Sequence, residues 1–396
     1  MIISVIGLGY IGLPTAAILA STGIDVIGVD INQHTVDIIN QGKIHIIEPK
    51  LDILVRESVV KGQLKAVIRP EKADVFIIAV PTPLKKGYKP DLSYIKSAVK
   101  AISSVLEKGN LVILESTSSV GTTEKMIEWM KFERPDISFP QFGNNDAEYD
   151  VAIAHCPERV LPGHAISEIV ENDRIIGGVT TNCAERARDL YKIFVKADCV
   201  ITDSRTAELS KLVENSFRDV NIAFANELSL ICDKLDINVW DMIKLANRDP
   251  RVNILQPGPG VGGHCIAVDP WFIVDSAFEE AKLIRAAREV NDMKPNFVLD
   301  KINLAVNATG KEQSDLKIAC FGLTFKPDID DLRESPALKI ARKVSLLKFK
   351  QLLLVEPNIN YLPEGFNAGA RIVGLDEAVK SADIVAVSYT HLTLPT

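Results

Sequence analysis

The sequence contains little cysteine, and the cysteines that it has are scattered. Six occur among 396 residues, without a C-x-x-C pair and without a spacing typical of metal ligands. We therefore expect neither a disulfide framework nor a metal site. Free thiols are typical of a reducing compartment, which predicts a cytoplasmic protein whose cysteines are mostly small apolar core residues.

Clusters of positive charge are also missing. The net charge is −7, and no stretch is dense in Lys or Arg. Nucleic acids and anionic membrane surfaces are bound through clustered positive charge, so neither is expected as a partner. Low-complexity tracts and short repeats are absent as well, which with this length favours a globular protein of two or three domains.

Charge is lacking altogether over the first 24 residues, as in a signal peptide or a membrane helix. However, no basic segment precedes the apolar run, and Gly7, Gly9, Gly12 and Pro14 interrupt it. We interpret the run as a buried strand followed by a helix and expect no membrane segment.

Apolar runs alternate with helical patterns in the first half of the chain. Continuous β-branched runs are typical of buried parallel strands, and the alternation predicts an α/β fold with a doubly wound sheet of the Rossmann type. The predicted strands are residues 2–6, 25–29, 75–80, 111–115, 150–154 and 174–177.

The middle of the chain has a different pattern, with long helices predicted over residues 206–235 and 277–307. Strands are then predicted at 317–321, 352–355 and 382–387. The sequence therefore predicts a Rossmann domain over residues 1–204, a central helical segment over 205–311, and a smaller Rossmann-like α/β domain over 312–396.

A dinucleotide fingerprint, G-x-G-x-x-G, lies between the first predicted strand and helix. Gly7 permits the tight turn, Gly9 admits the pyrophosphate, and Gly12 lets helix and strand pack closely. The second strand ends at Asp30, whose carboxylate would accept hydrogen bonds from ribose hydroxyl groups. No Lys or Arg follows Asp30 directly, so NAD is predicted rather than NADP.

Further residues complete the predicted cofactor site. Tyr10 and Ile11 lie inside the fingerprint, and Thr82 and Thr117 follow two later strands. The carboxyl ends of parallel strands are where such cofactors bind. For the two threonines, ordinary hydroxyl-bearing turn residues are the alternative.

Cys265 is the candidate nucleophile. It follows a glycine-rich loop at residues 257–263, through which substrate can approach closely, and Asp269 lies one helical turn later. A buried structural cysteine is the alternative.

Lys211, Asn215 and Arg218 share one face of the long helix predicted at 206–235. Helical Lys and Arg are usually solvated, but apolar neighbours make Lys211 a candidate for a lowered pKa or an electrostatic role. These neighbours are Ala207, Leu209, Leu212, Val213 and Phe217.

Together the motifs resemble the UDP-glucose/GDP-mannose dehydrogenase family. Six stretches in family order carry the resemblance: GLGYIG at 7–12, EST at 115–117, CPER at 156–159, ELSKLVEN at 208–215, PGPGVGGHC at 257–265 and FKPDIDDLRESP at 325–336. The resemblance implies an NAD-binding domain, a central dimerisation segment and a UDP-binding domain, and hence a homodimer acting on a UDP-sugar.

The resemblance also implies a four-electron oxidation of a sugar C6 alcohol to a carboxylate, with two NAD and Cys265 as covalent nucleophile. Lys211 and Asn215 would stabilise charge on the C6 oxygen, Asp269 would orient Lys211 or a water, and Glu158 would position the hydrolytic water. Residues 215–227 and 251–257 are similar to the branch that acts on UDP-N-acetyl-D-mannosamine.

Implied substrate contacts also come from the resemblance. Those to sugar or phosphate are Arg159, Val160, Lys211, Asn215, Arg218 and Arg251, with Gly262 beside Cys265 and Phe325, Lys326 and Arg333 on the UDP side. Without the motif, a surface ion pair with Asp330 and Asp331 would be the better interpretation of Arg333.

Two departures from the family pattern stand out. Asp249 occupies a position where a basic or imidazole residue is expected. Residues 388–396 do not resemble the family's continuation, and we interpret them as foreign sequence that truncates the last domain after its third strand.

Other interpretations remain open. UDP-N-acetylglucosamine and UDP-glucose differ from the expected sugar at C2, and no single residue decides between them. A two-electron dehydrogenase, which needs no cysteine, and a non-catalytic nucleotide-sugar binder are the alternatives from other classes.

Overall fold

The computed structural model describes residues 1–160, 163–326, 330–367 and 369–388. The chain divides into two units, residues 1–213 and 214–396. Within the described ranges, no helix is long and apolar enough to cross a membrane. The tail interpreted as foreign lies outside the described residues, apart from Ser388.

The first unit is built on one sheet of eight strands. The strands are β1 (Ile2–Ile6), β2 (Asp25–Val29), β3 (Leu64–Val67), β4 (Val75–Ile78), β5 (Leu111–Leu114), β6 (Ala152–His155), β7 (Arg174–Gly178) and β8 (Cys199–Asp203). Their order is β3-β2-β1-β4-β5-β6-β7-β8, and only β6 and β7 pair in antiparallel fashion. The first six strands have the order of a dinucleotide-binding sheet, so the predicted Rossmann fold is confirmed. Strands β3 and β8 were not predicted.

Helices cover this sheet, whose central strands are buried along their length. They are α1 (Gly12–Ser21), α2 (Gln33–Asn40), α3 (Leu51–Val60), α4 (Ser93–Ser103), α5 (Thr122–Glu133), α6 (Ala165–Glu171) and α7 (Thr181–Tyr191). Side chains cap two of the helix starts, since Asn32 accepts from the His34 N–H and Thr180 from the Cys183 N–H. Helix α8 (Ser204–Lys234) begins in the first unit and ends in the second.

The turn from β1 into α1 requires two of its three glycines for steric reasons. Gly7 has φ +95°, and a Cβ on it would lie 2.7 Å from the Ala79 carbonyl oxygen. A Cβ on Gly12 would lie 1.8 Å from the Gly7 carbonyl oxygen, whereas one on Gly9 would meet nothing within 4 Å. Gly7 and Gly12 are therefore needed by the protein itself, and Gly9 leaves open space.

The second unit combines helices with a parallel sheet. Its further helices are α9 (Val239–Ala246), α10 (Asp269–Ser276), α11 (Lys282–Thr309), α12 (Pro336–Ser345) and α13 (Leu375–Ser381), with a 3-10 turn at Gln313–Asp315. Its strands are β9 (Lys317–Phe321), β10 (Gln351–Val355), β11 (Ala370–Ile372) and β12 (Ile384–Val387), in the order β11-β10-β9-β12. The expectation of three strands was wrong. Strand β11 escaped prediction because it has only three residues.

The start of the second sheet repeats the local geometry of the first. Gly7 N–H donates to the carbonyl of Val29 and Gly322 N–H to that of Val355, each at the end of the neighbouring strand. Gly322, like Gly7, has positive φ, +90°. After the glycine, however, the second turn continues with Leu323 and Thr324, without a second glycine.

Replacing Gly9 or Gly12 by alanine should distinguish a glycine needed for ligand binding from one needed for packing within the protein. We expect Gly12→Ala to lower the Tm by several degrees, because its Cβ cannot fit beside Gly7. Gly9→Ala should keep the wild-type Tm but bind NAD at least tenfold more weakly. Thermal unfolding and a fluorescence titration with NAD measure both effects. Equal NAD affinity in wild type and Gly9→Ala would contradict the assignment of this space to the pyrophosphate.

Candidate active site

The Asp30 carboxylate holds the loop that carries the glycines. Leu8 N–H donates to its Oδ2 at 3.0 Å, and Asn32 N–H donates to its Oδ1 at 2.9 Å. Each carboxylate oxygen can accept a second hydrogen bond, so both remain able to accept from ribose. Tyr10 is exposed and Ile11 is half-buried on the outer side of the same loop.

Thr82 and Thr117, predicted from two different strand ends, are neighbours. The Thr82 hydroxyl donates to the Thr117 carbonyl oxygen at 2.7 Å. This bond joins the loops that follow β4 and β5, next to the turn after β1 in the sheet order. The residues predicted for the cofactor thus lie on adjacent loops at one edge of the sheet.

Glu208, in the ELSKLVEN motif, has a structural role that the sequence did not reveal. Its buried carboxylate accepts from the N–H groups of Gly121 and Thr123 and from the Thr123 hydroxyl, at 2.6–2.8 Å. It thereby caps α5 and fixes the first turns of α8, three residues before Lys211. Burial raises the pKa of Glu208 to about 7, although these hydrogen bonds act to lower it.

Glu158 belongs to a buried group of charges. Its Oε1 accepts from the Arg159 N–H at 2.7 Å, and its Oε2 lies 2.5 Å from a guanidinium nitrogen of Arg174. The same nitrogen lies 3.6 Å from Glu115. Sequence reasoning missed Arg174, because an arginine inside a predicted strand carried no motif.

The Glu115 side chain is completely buried and has two further polar neighbours. Tyr191 donates to its Oε1 at 3.1 Å, and the Thr15 hydroxyl lies 3.4 Å from its Oε2. Burial raises the pKa of Glu115 to about 7, with Arg174 opposing the shift and Glu158 adding to it.

Cys265 lies on the surface of a turn in the second unit. It is half-buried, whereas Cys156, Cys183, Cys232 and Cys320 are buried. Burial raises the pKa of the Cys320 thiol to about 12, as expected for an unreactive core cysteine. Of the six cysteines only Cys265 and Cys199 are accessible in part.

Asn215 and Asp269 are brought together beside this turn. Asn215 Nδ2 donates to Asp269 Oδ2 at 2.5 Å, and both residues are buried. The Asp269 N–H in turn donates to the Cys265 carbonyl at 2.8 Å. The bond from Asn215 to Asp269 was not predicted, and it links α8 to the helix that follows the Cys265 turn.

The glycine-rich loop before Cys265 packs against the segment that follows β9. A Cβ on Gly262 would lie 2.7 Å from Phe325 Cβ, and Gly263 N–H donates to the Arg333 carbonyl at 3.1 Å. Farther back, Gly258 N–H donates to Asn226 Oδ1 at 2.8 Å. Gly262 and Phe325, predicted to bind substrate, therefore pack tightly against each other.

The loop is also held by a buried polar network between α8 and α11. Asn226 donates to Asn291, and Asn291 donates to Asp219. Arg288, 1% exposed, donates to Asp219 at 2.7 Å. Because buried charge is costly unless paired, this network fixes the helix pair that supports the loop.

The predicted substrate-binding arginines differ in their surroundings. Arg251 is largely exposed and pairs with Asp249 through two hydrogen bonds, so the unexpected acidic residue has an arginine partner. Arg333 pairs with Asp331 in a similar way. The Arg218 Nε donates to the Glu214 carbonyl at 3.5 Å on its own helix.

The remaining predicted residues are placed as follows. Arg159 donates to the Asp173 carbonyl, and Val160 packs partly against the core of the first unit. Lys326 is exposed, and its carbonyl accepts from the Thr324 hydroxyl at 2.9 Å. Residues 327–329 of the same motif lie outside the described ranges.

The apolar surroundings expected for Lys211 are only half present. Ala207 and Leu212 are fully buried, but Leu209, Val213 and Phe217 are 41–68% exposed. Lys211 itself is half-buried. The apolar residues of this helix therefore lie on two faces, one buried in the core and one exposed on the surface.

Across the described ranges, no group of three or more His, Cys, Asp or Glu is placed to hold a metal ion.

The raised pKa of Glu208 predicts a pH-dependent contribution to stability. The folded protein keeps a proton that the unfolded chain releases above pH 4.5, so this contribution is complete below pH 4.5 and is lost by about pH 7. The loss amounts to as much as about 3 kcal/mol. Glu208→Gln should lack it, so its Tm relative to wild type should be higher at pH 8 than at pH 5.

Glu133→Gln, at the exposed end of α5, is the matched control and should follow the wild type at both pH values. Parallel Tm curves for Glu208→Gln and wild type would contradict the burial of a titrating carboxylate at this position.

Models of one protein family match the parts of the chain that contain these residues. The NAD binding domain of the UDP-glucose/GDP-mannose dehydrogenase family matches residues 1–195, the central domain 205–293 and the UDP binding domain 319–394. Together these matches span most of the chain.

Individual relatives are similar over nearly the whole length. A UDP-N-acetyl-D-mannosamine dehydrogenase of Campylobacter jejuni is 64% identical over 393 residues, 98% of this chain and 95% of the relative. An NDP-N-acetyl-D-galactosaminuronic acid dehydrogenase of Ralstonia nicotianae is 58% identical, over 98% of this chain and 90% of the relative. The solved structure of a UDP-D-ManNAc dehydrogenase from Pyrococcus horikoshii has a TM-score of 0.86 at 41% identity and covers 98% of this chain and 89% of that one.

With the fingerprint, the cysteine turn and all three domain matches in family order, the chain belongs to the UDP-glucose/GDP-mannose dehydrogenase family of NAD-dependent oxidoreductases.

Proposed function

We propose that this protein oxidises the C6 hydroxyl of UDP-N-acetyl-D-mannosamine to the carboxylate, giving UDP-N-acetyl-D-mannosaminuronate for surface polysaccharide synthesis. The observation that carries the proposal is the half-buried Cys265 on a turn joined to Asp269 and Asn215. The names of the relatives at 64% and 59% identity support the choice of sugar.

The residues of the first unit fit NAD. The space left by Gly9, the Asp30 carboxylate and the adjoining loops of Thr82 and Thr117 would hold the pyrophosphate, ribose and nicotinamide ends in turn. NAD supplies the hydride acceptor for both oxidation steps.

The chain itself supplies the covalent and polar chemistry. Cys265 attacks the C6 aldehyde to give a thiohemiacetal, whose oxidation leaves a thioester. Lys211 and Asn215 stabilise negative charge on the C6 oxygen, and Asp269 keeps the Asn215 amide in place. Water then attacks the thioester carbon, its proton passes to Glu158, and the sulfur leaves as thiolate.

Substrate contacts follow the family assignment. Arg159, Val160, Arg218 and Arg251 would contact sugar or phosphate, and Arg333 and Lys326 would contact the UDP end. Arg251 is paired with Asp249, and Arg333 with Asp331. On substrate binding, each ion pair would either break or share its guanidinium group with a phosphate. Gly262 and Phe325 would shape the site around Cys265.

A second sugar has support of its own. The relative named for N-acetyl-D-galactosaminuronic acid is 58% identical, close to the figures for the mannosamine enzymes. Since these two hexosamines differ in configuration at both C2 and C4, both sugars belong in the first assay.

The test is the NADH yield per mole of limiting sugar nucleotide. We expect two NADH per UDP-N-acetyl-D-mannosamine from wild type, because alcohol and aldehyde are both oxidised. Cys265→Ala should lose acid formation by at least a thousandfold. Cys199→Ala, the other half-buried cysteine, is the matched control and should keep wild-type yield.

A yield of one NADH, or normal acid formation by Cys265→Ala, would show a two-electron dehydrogenase instead. Binding of NAD and sugar nucleotide without turnover of any UDP-hexosamine would favour a non-catalytic binder.

We also propose a homodimer in the cytoplasm. Phe217, Phe224 and Ile231 recur at seven-residue spacing on α8 and are 47–68% exposed. An exposed apolar stripe along one face of a helix is typical of an interface. The same helix of a second copy carries apolar residues at the same seven-residue spacing, so the two stripes can pack against each other. Six free cysteines support the reducing compartment.

Substituting the stripe should disrupt the dimer. Phe224→Glu should shift the mass measured by light scattering to that of a monomer, since a buried, unpaired carboxylate at an interface is costly. Phe132→Glu, at an exposed position near the end of α5, should leave the mass unchanged. A monomeric wild type would refute the homodimer.

A further inference from the structure

We propose that Arg174 and Glu115 are positioning residues for Glu158: Arg174 orients its carboxylate, and Glu115, when ionised, competes for Arg174 and thereby promotes hydrolysis of the Cys265 thioester by Glu158. The inference deepens the proposed function and rests on it, because Glu158 is there the base that receives the proton of water. The relevant contacts all lie within the first unit.

The geometry places one cation between two carboxylates. An Arg174 nitrogen lies 2.5 Å from Glu158 Oε2 and 3.6 Å from Glu115 Oε1. Side-chain exposure is 3% for Arg174, 7% for Glu158 and 0% for Glu115. Glu158 is thus the outermost of the three, and Glu115 lies behind it.

Each member is fixed by contacts from different elements. The Arg174 guanidinium stacks on the Tyr191 ring at 5.0 Å, and Tyr191 donates to Glu115. The Glu158 carboxylate also accepts from the Arg159 N–H. Both oxygens of the Glu158 carboxylate thus have a fixed partner, Arg174 for one and the backbone for the other. These contacts restrict the side chain to one orientation.

Charge in the group does not balance at high pH. With both carboxylates ionised, two negative charges share one guanidinium in a buried environment, which is unfavourable. Burial accordingly raises the pKa of Glu115 to about 7. The group therefore holds one proton in weakly acidic solution and releases it near neutrality.

Other titratable groups facing Glu115 remain uncharged in this range. Burial raises the pKa of both Cys156 and Tyr191, so neither ionises near pH 7. The groups that face the cluster are Thr15 on α1, Cys156 and Glu158 after β6, Arg174 on β7, Tyr191 on α7 and Cys199 on β8. Only Glu115, Glu158 and Arg174 thus determine its charge.

The consequence for hydrolysis follows from like-charge repulsion. When Glu115 is neutral, Arg174 pairs with the Glu158 carboxylate alone. When Glu115 is ionised, it competes for Arg174, and Glu158 accepts the proton of water more readily. In this step the water oxygen bonds to the thioester carbon, the C–S bond breaks, and Cys265 leaves as thiolate.

Glu115→Gln tests the proposal, because it removes the charge but keeps the shape. We expect the wild-type hydrolysis rate to rise as pH passes through about 7. The variant should lack this rise and be about tenfold slower at pH 8.5, with kcat/KM unchanged because the steps that form the thioester are not affected. Its NADH should appear as a burst of two per active site, while mass spectrometry finds the acyl group on Cys265.

Glu115→Asp, which retains the charge, should restore most of the rise, whereas a purely structural role would leave both variants equally impaired at every pH. Should Glu115→Gln not fold, Arg174→Lys, which keeps the cation but not the paired contacts, must also accumulate the thioester. A Glu115→Gln profile equal to wild type overturns the proposal while two NADH per sugar still supports the proposed function. Absence of any Cys265 acyl intermediate in all variants, with one NADH per sugar, overturns both.

Discussion

Carboxylates that accept backbone N–H groups hold the loops of this protein in place. Asp30 binds the loop after β1, Glu208 the start of α5, and Glu356 the loop after β9, where it accepts from Leu323 and Thr324. Glu48 likewise accepts from Gly163 and Ala165 at the start of α6. Loops at the ends of parallel strands leave N–H groups without a partner, and a buried carboxylate satisfies two of them at once.

This arrangement explains how loops without regular secondary structure are held in place within each unit. The loops that follow β4 and β5 are joined by Thr82, and the loop after β5 is fixed by Glu208 on α8. In the second unit, Asn226 and Phe325 brace the loop that leads to Cys265. The turns that carry the candidate catalytic residues are thus held by hydrogen bonds and packing contacts from other segments.

The sequence predicted most of the fold, and physical reasons account for what it missed. Buried strands such as β1 and β5 are continuous apolar runs, so they are easily recognised. Strand β11 has three residues, and β8 is exposed along part of its length, so neither produces that pattern. Of the residues around Glu158, Arg174 could not be predicted, because it lies on β7 whereas its partners follow β5 and β6, and the three meet only in the folded sheet.

The two sheets begin with similar turns, and the difference between the turns bears on what each can bind. In both, a glycine with positive φ bonds to the end of the neighbouring strand, and the next N–H bonds to an acidic residue just beyond it. Where the first turn has Gly9 and open space, the second has Thr324, whose hydroxyl lies 3.3 Å from Glu356. Only the first turn therefore has the open space that we assign to the pyrophosphate of a dinucleotide. In the second turn a side chain stands at the corresponding position, so the two turns, although alike in their hydrogen bonds, are not interchangeable as binding sites.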